Sequence, residues 1–209
     1  MGYGTAIIVL DDEGRRNLPA DLVLVQPKYP GFAKSVNRIS RWVLDNQPSC
    51  QIIVTAGDDV YPDQTKRADE IAGEFIEHFH GTLGVMQPHG DEWHHTHHDG
   101  KSYIFDTCAW SPWLGREWCE RSYMGRGPLH EEFYHYWNDY NLLQVAEWLG
   151  LFWRRPDIIQ RDDNWKRDRR HLGRPKYLQE ARARTAADKA LAQRLEAEGF
   201  PGCGLLPVS

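Results

Sequence analysis

Asp58 and Asp59 are adjacent carboxylates that follow the β-branched run Ile52-Ile53-Val54 across a Gly-containing turn. Hard oxygen ligands of this kind hold a divalent cation, and such a cation can clamp a diphosphate. A buried strand that delivers carboxylates to its carboxyl end places them where α/β sheets bind ligands. The bland alternative is a polar turn leading into a helix whose N-cap is Asp63. A second cluster, His89, His94, His95, His97 and His98, offers imidazole nitrogens for a metal. It lies in a polar loop with no HExxH helix and no paired cysteines, so nothing in its spacing fixes a site.

These groups need elements to hold them. Thr5 to Leu10 reads as a buried strand ending in the turn Asp11-Asp12-Glu13-Gly14, and Leu22 to Val25 as a second apolar run. Val36, Ile39 and Val43 predict one face of a helix over 33–44. Ala68, Ile71, Ala72, Phe75, Ile76 and Phe79 predict a clearer helix, with Gly81 in the capping position. Leu83 to Met86, Tyr103 to Cys108 and Leu151 to Trp153 read as strands, and Leu142 to Leu149 as a helix stopped by Gly150. Beyond Pro175 an Ala-, Arg-, Glu- and Lys-rich run predicts an exposed amphipathic helix. Strand and helix alternate through the first 160 or so residues, which argues for an α/β sandwich on a partly parallel sheet.

The bulk composition narrows the function classes. A net charge of −5 argues against a broad nucleic-acid footprint, so nucleic acid is an unfavoured partner. Apolar runs are too short for a membrane span and the amino-terminal residues lack signal-peptide order, which predicts a cytoplasmic protein. Cys50, Cys108, Cys119 and Cys203 show neither zinc-ribbon nor disulfide spacing. Nine tryptophans, most of them between Trp93 and Trp165, suit either a thick core or a stacking platform for rings.

The order of motifs resembles a known family. A strand into Asp-Asp-x-Gly at Asp11-Asp12, then Gly31-Phe32-Ala33-Lys34-Ser35-Val36-Asn37-Arg38, then Asp58-Asp59-x-x-Pro62, is similar to the nucleotide-sugar half of GT-A-type glycosyltransferases. Ser111-Pro112-Trp113-Leu114-Gly115-Arg116 and Trp137-Asn138-Asp139-Tyr140-Asn141-Leu142 resemble the small-residue turn and the acidic helix start of the acceptor half. The likeness is closest to the inverting family-two type and to phage and bacterial glycosyltransferase-like proteins. It rests on motif order over residues 5–165.

The resemblance implies a three-layer α/β/α sandwich with a mostly parallel sheet. Its first strand-helix unit is expected to be missing, because the chain begins near the family's second strand. The expected organisation is a domain over 1–172, with a nucleotide-sugar half at 1–90 and an acceptor half at 91–172, then a helical extension over 173–209. The implied activity is metal-dependent, inverting transfer of a sugar from a nucleoside diphosphate sugar to a hydroxyl acceptor, with Mn²⁺ or Mg²⁺ on Asp58 and Asp59. Asp11 and Asp12 would touch the base or ribose, and Lys34 and Asn37 the ribose or phosphate. Asp58, Asp91, Trp113 and Arg116 would complete the donor contacts. Asp139 would be the base, although an Asp just before a helix also suits an N-cap. Asn138 and Asn141 stand where carboxylates are common, which leaves Asp139 as the acid of that motif. The His-rich loop would lie on the acceptor side. Two other readings stay open: a non-catalytic nucleotide-sugar or carbohydrate-binding module of the same fold, and a His-loop metalloprotein.

Overall fold

The computed structural model describes residues 8–11, 21–25, 28–57, 60–90, 107–162 and 177–205. In chain order these form β1 (Ile8–Asp11), β2 (Leu22–Val25), α1 (Phe32–Asn46), β3 (Ile52–Val54), β4 (Val60–Tyr61), α2 (Ala68–Phe79) and β5 (Val85–Gly90). They continue with β6 (Trp113–Gly115), α3 (Arg116–Arg121), a 3₁₀ turn (Tyr123–Gly125), α4 (Asn138–Trp148), β7 (Phe152–Asp162) and α5 (Tyr177–Ala197). The class is α/β, as the alternating pattern predicts. β1 and β2 pair in parallel as a two-stranded sheet, and the other strands form a five-stranded sheet in the order β3-β6-β5-β7-β4.

That sheet is mixed, with mostly antiparallel neighbours, and differs from the mostly parallel sheet expected. Only β5 and β7 pair in parallel; β6 is antiparallel to both β3 and β5, and β4 to β7. The direction of the strands is more uniform than their pairing. Because β6 reverses between them, β3 and β5 run the same way, and β7 runs with them. The carboxyl ends of β3, β5 and β7 therefore share one edge with the amino ends of β6 and β4.

Period-two alternation explains why the sheet is covered on both faces. Ile53, Val85 and Leu114 point into one core with Val36 and Val43 of α1, Leu142 and Val145 of α4, and Ala192 and Leu195 of α5. Their sequence neighbours Ile52, Met86 and Trp113 point the other way, against Ile71 and Phe75 of α2 and Ile158 of β7. Gly115 closes β6 where its Cα meets a neighbouring turn: a Cβ there would lie 1.8 Å from the Thr82 carbonyl oxygen.

Three local expectations change. Asp63 is not a helix N-cap, since α2 begins at Ala68 with Arg67 preceding it. One Asp63 oxygen instead accepts the Thr65 N–H and hydroxyl, both at 2.6 Å, and the other accepts the Ile159 N–H at 2.7 Å. β7 runs on through Pro156 because the register jumps from Arg155 to Ile159 opposite Pro88 and His89. The resulting bulge accommodates a residue with no N–H to give. The carboxyl-terminal helix is amphipathic but not merely exposed: Leu178, Ala181, Asp188, Ala192 and Leu195 are buried. The Tyr103–Cys108 strand lies mostly outside the described residues.

Candidate functional site

The shared sheet edge is assembled by polar contacts between segments far apart in sequence. The Thr55 N–H donates to the Pro112 carbonyl at 3.1 Å, which joins the end of β3 to the approach of β6. The Ser111 N–H donates to the buried Gln87 side-chain oxygen at 3.3 Å, which joins that approach to β5. Val60 pairs with Asp162, so β4 starts where β7 ends. Between Val54 and Val60 the chain thus passes from one margin of the sheet to the other. Asp58 and Asp59 are within this passage and lie outside the described residues, as do Asp12, Asp91, Trp93 and the histidines from His94 to His98.

Asp139 enters the same region from α4. Its carbonyl accepts the Ala109 N–H at 3.0 Å, and one carboxylate oxygen accepts the Tyr140 N–H at 2.9 Å. Trp137, in a left-handed conformation at φ 66°, occupies the N-cap position, so Asp139 lies in the first turn and not at the cap. The residue is half-buried. Burial pushes its carboxyl above the usual carboxylate range, while the Tyr140 N–H and the Cys108 thiol pull it back down. Burial, and next the Asp139 charge, push that thiol well above its ordinary value, so it keeps its proton. A carboxyl group with weakened preference for its charged form, held at a strand-end edge, is suited to exchange a proton with a hydroxyl.

The remaining candidate residues fall elsewhere. Arg116 begins α3 on the opposite edge of the sheet. Its guanidinium donates to the carbonyls of Leu44 at 2.8 Å, Gln47 at 3.0 Å and Cys50 at 3.2 Å, and it pairs with Glu120 at 2.8 Å. It closes the carboxyl end of α1, where unpaired carbonyls attract a cation, and its donors are committed to that task. Trp113 is 5% exposed inside the core under α2, which is packing rather than a stacking platform. Asn37 is fully buried; its amide donates to the Leu129 carbonyl at 2.8 Å and accepts the Leu129 N–H at 3.0 Å. Asn37 therefore pins the 127–131 segment, and its side chain has no reach toward a ribose. Lys34 is exposed on the first turn of α1, and β1 ends at Asp11 opposite Val25.

Among the described residues no group of three or more His, Cys, Asp or Glu is gathered as metal ligands, and no helix is long and apolar enough to cross a membrane. Asn138, written as a departure from the acidic motif, has a structural task in donating to the His135 carbonyl. Sequence reasoning missed Cys108 and Gln87, whose spacing carries no recognisable signal. Comparison with family models, with curated proteins and with solved structures finds no match.

Proposed function

We propose that the chain is a GT-A-like, metal-dependent glycosyltransferase that moves a sugar from a nucleoside diphosphate sugar to a hydroxyl acceptor with inversion. One observation carries the reading: half-buried Asp139, whose carboxyl is pushed up by desolvation, is tied through its backbone carbonyl and the Ala109 N–H to the edge where β3, β5 and β7 all end. In the sequence Asp58 and Asp59 fall between Thr55, which is bonded to Pro112, and Val60, which pairs with Asp162. An acidic pair that follows β3 in the sequence, together with Asp139, suits a reaction with a metal-bound diphosphate on one side and a proton to remove on the other.

In this mechanism Asp139 takes the proton of the acceptor hydroxyl as its oxygen forms the bond to the anomeric carbon. The bond from that carbon to the diphosphate breaks on the opposite face, and the electron pair leaves with the diphosphate. Two adjacent hard-oxygen carboxylates fit Mn²⁺ or Mg²⁺, which would supply charge neutralisation for the leaving group when held by Asp58 and Asp59. The Tyr140 N–H holds one oxygen of Asp139 and so orients its carboxyl group.

The test is donor hydrolysis and transfer with added Mn²⁺ by the wild-type chain, by Asp58→Asn combined with Asp59→Asn, and by Asp139→Asn. The double variant is expected to lose metal-stimulated turnover. Asp139→Asn should lower kcat by roughly 10²-fold or more while still binding donor. Full turnover by the double variant would overturn the metal assignment. Donor binding by the wild type with no turnover on any acceptor would select a non-catalytic nucleotide-sugar-binding module instead.

A further inference from the structure

We infer that Gln87 is a positioning residue for Asp139: through the 109–112 segment its side chain fixes the start of α4 at the sheet edge. The inference rests on the reading of Asp139 as the base. Residues 109–112 are neither helix nor strand, yet Ala109, Ser111 and Pro112 are buried. Buried backbone outside a ladder must find its hydrogen-bond partners elsewhere. The Ala109 N–H finds the Asp139 carbonyl at 3.0 Å, and the Pro112 carbonyl accepts the Thr55 N–H at 3.1 Å. The Ser111 N–H finds Oε1 of Gln87 at 3.3 Å. The first two bonds join backbone to backbone. The third ends on a side chain, so one substitution removes it.

Gln87 stands two residues after Val85 on β5, and period two turns it to the same face, toward α1 and α4. It is fully buried. A buried amide is costly unless its ends are paired. Here Nε2 donates to the Pro88 carbonyl at 2.7 Å, which fixes the side chain and turns Oε1 to Ser111. Ala109 and Ser111 are two residues apart, about 7 Å of extended chain. Slack at Ser111 therefore reaches the bond that Ala109 makes to Asp139. A backbone shift there moves the first turn of α4, and the Asp139 carboxyl group moves with it. Gln87 acts through Ser111 and Ala109, since its own burial seals it from substrate.

The experiment is amide hydrogen exchange at Ala109 and Ser111, read by NMR on the full chain at pH 5, for wild type, Gln87→Met and Gln87→Glu. Gln87→Met keeps the length of the side chain and loses both hydrogen-bonding ends. Protection of both amides should fall about tenfold, the scale of one lost hydrogen bond. A buried carboxyl keeps its proton at pH 5, so Gln87→Glu can accept from Ser111 and donate to Pro88. That variant should hold both values near wild type. In transfer assays kcat of Gln87→Met should fall roughly tenfold or more, with donor KM unchanged. Wild-type protection of Ala109 in Gln87→Met overturns the inference, and so does lost protection in Gln87→Glu. Should Gln87→Met fail to fold, exchange of the wild type in sub-denaturing urea decides. The two amides should open together with one urea dependence, and Ala109 staying closed when Ser111 opens overturns the inference equally. Lost protection with undiminished kcat in Gln87→Met, while Asp139→Asn loses transfer, also overturns it. If protection falls as stated and both variants keep full transfer, the link from Gln87 to α4 stands and the assignment of Asp139 as base falls.

Discussion

The Asp188 carboxylate accepts the backbone N–H of His135 at 3.0 Å, and so fastens the carboxyl-terminal helix to the segment that leads into α4. The same carboxylate takes the N–H groups of Tyr134 and Tyr136, each at 3.0 Å. Three consecutive donors converge on one buried side chain, which is 3% exposed. Asp188→Ala leaves them with no acceptor, and a buried unpaired donor is costly. The expected loss is about 2–4 kcal/mol in urea denaturation. Asp188→Asn keeps one acceptor oxygen and should fall between. Equal stability of all three proteins would show that the contact holds nothing.

His135 sits beside that anchor and gives it a pH dependence. Burial lowers its imidazole to about 4, with Asp188 opposing the shift, and Nδ1 lies 2.7 Å from the Tyr29 hydroxyl. A folded value below the ordinary 6.5 means that the unfolded chain takes up the proton first. This contribution is therefore complete above pH 6.5 and is lost as the pH falls toward 4. Its size is at most about 3 kcal/mol. Denaturation at pH 7 and pH 4.5 should show the loss, and His135→Asn should flatten that part of the slope. An identical slope in the variant would remove His135 as its source.

Arg116 should matter for stability and not for donor binding. Arg116→Met removes three hydrogen bonds to the last carbonyls of α1 and the turn beyond it while keeping most of the aliphatic stem. A loss of about 1–2 kcal/mol is expected. Donor affinity measured by calorimetry on the folded variant should not change. A weakened affinity at unchanged stability would return Arg116 to the donor site.

Gly115→Ala tests the close approach at the end of β6. The new Cβ would meet a backbone carbonyl rather than a side chain that can turn away. Relief requires β6 to move from the Thr82 turn, which should cost roughly 3 kcal/mol or more. Thermal melting should fall by many degrees or lose its cooperativity. A melt like that of the wild type would mean that the two backbones separate freely.

Where the hydrophobic period was strong, the sequence was enough to read the element. Ile71 and Phe75 on α2, and Val85 and Met86 on β5, follow the apolar pattern of their segments. The reading failed where a polar residue does structural work inside. Asn37 lies on the buried stripe of α1 with Ala33, Val36, Ser40 and Val43, yet its amide suggested a ligand contact. Asp188 was hidden in a charged run for the same reason. Asp63 carried a helix-start signal, but Thr65 and Ile159 took both its oxygens. β7 was read only over Leu151 to Trp153, because the bulge that carries it past Pro156 can be recognised only from the partner strand. Of the candidate site, Asp139 was singled out through the motif Trp137-Asn138-Asp139-Tyr140-Asn141-Leu142, and it lies in the first turn of α4. Cys108 was not, since its relation to Asp139 exists only once α4 packs beside the approach to β6.

The order β3-β6-β5-β7-β4 also governs how the chain reaches this state. Successive strands in the sequence do not neighbour one another at β3 and β4, which sit at opposite margins. The pairings Ile53 with Leu114, Val85 with Phe152 and Val60 with Asp162 join residues roughly 60 to 100 positions apart. Hairpin zippering cannot build such a sheet, and loop closure must precede nearly every ladder. Folding is expected to be slow, on the order of milliseconds to seconds. The pairing of β4 is then expected late, when β7 has docked and its final residues meet Val60.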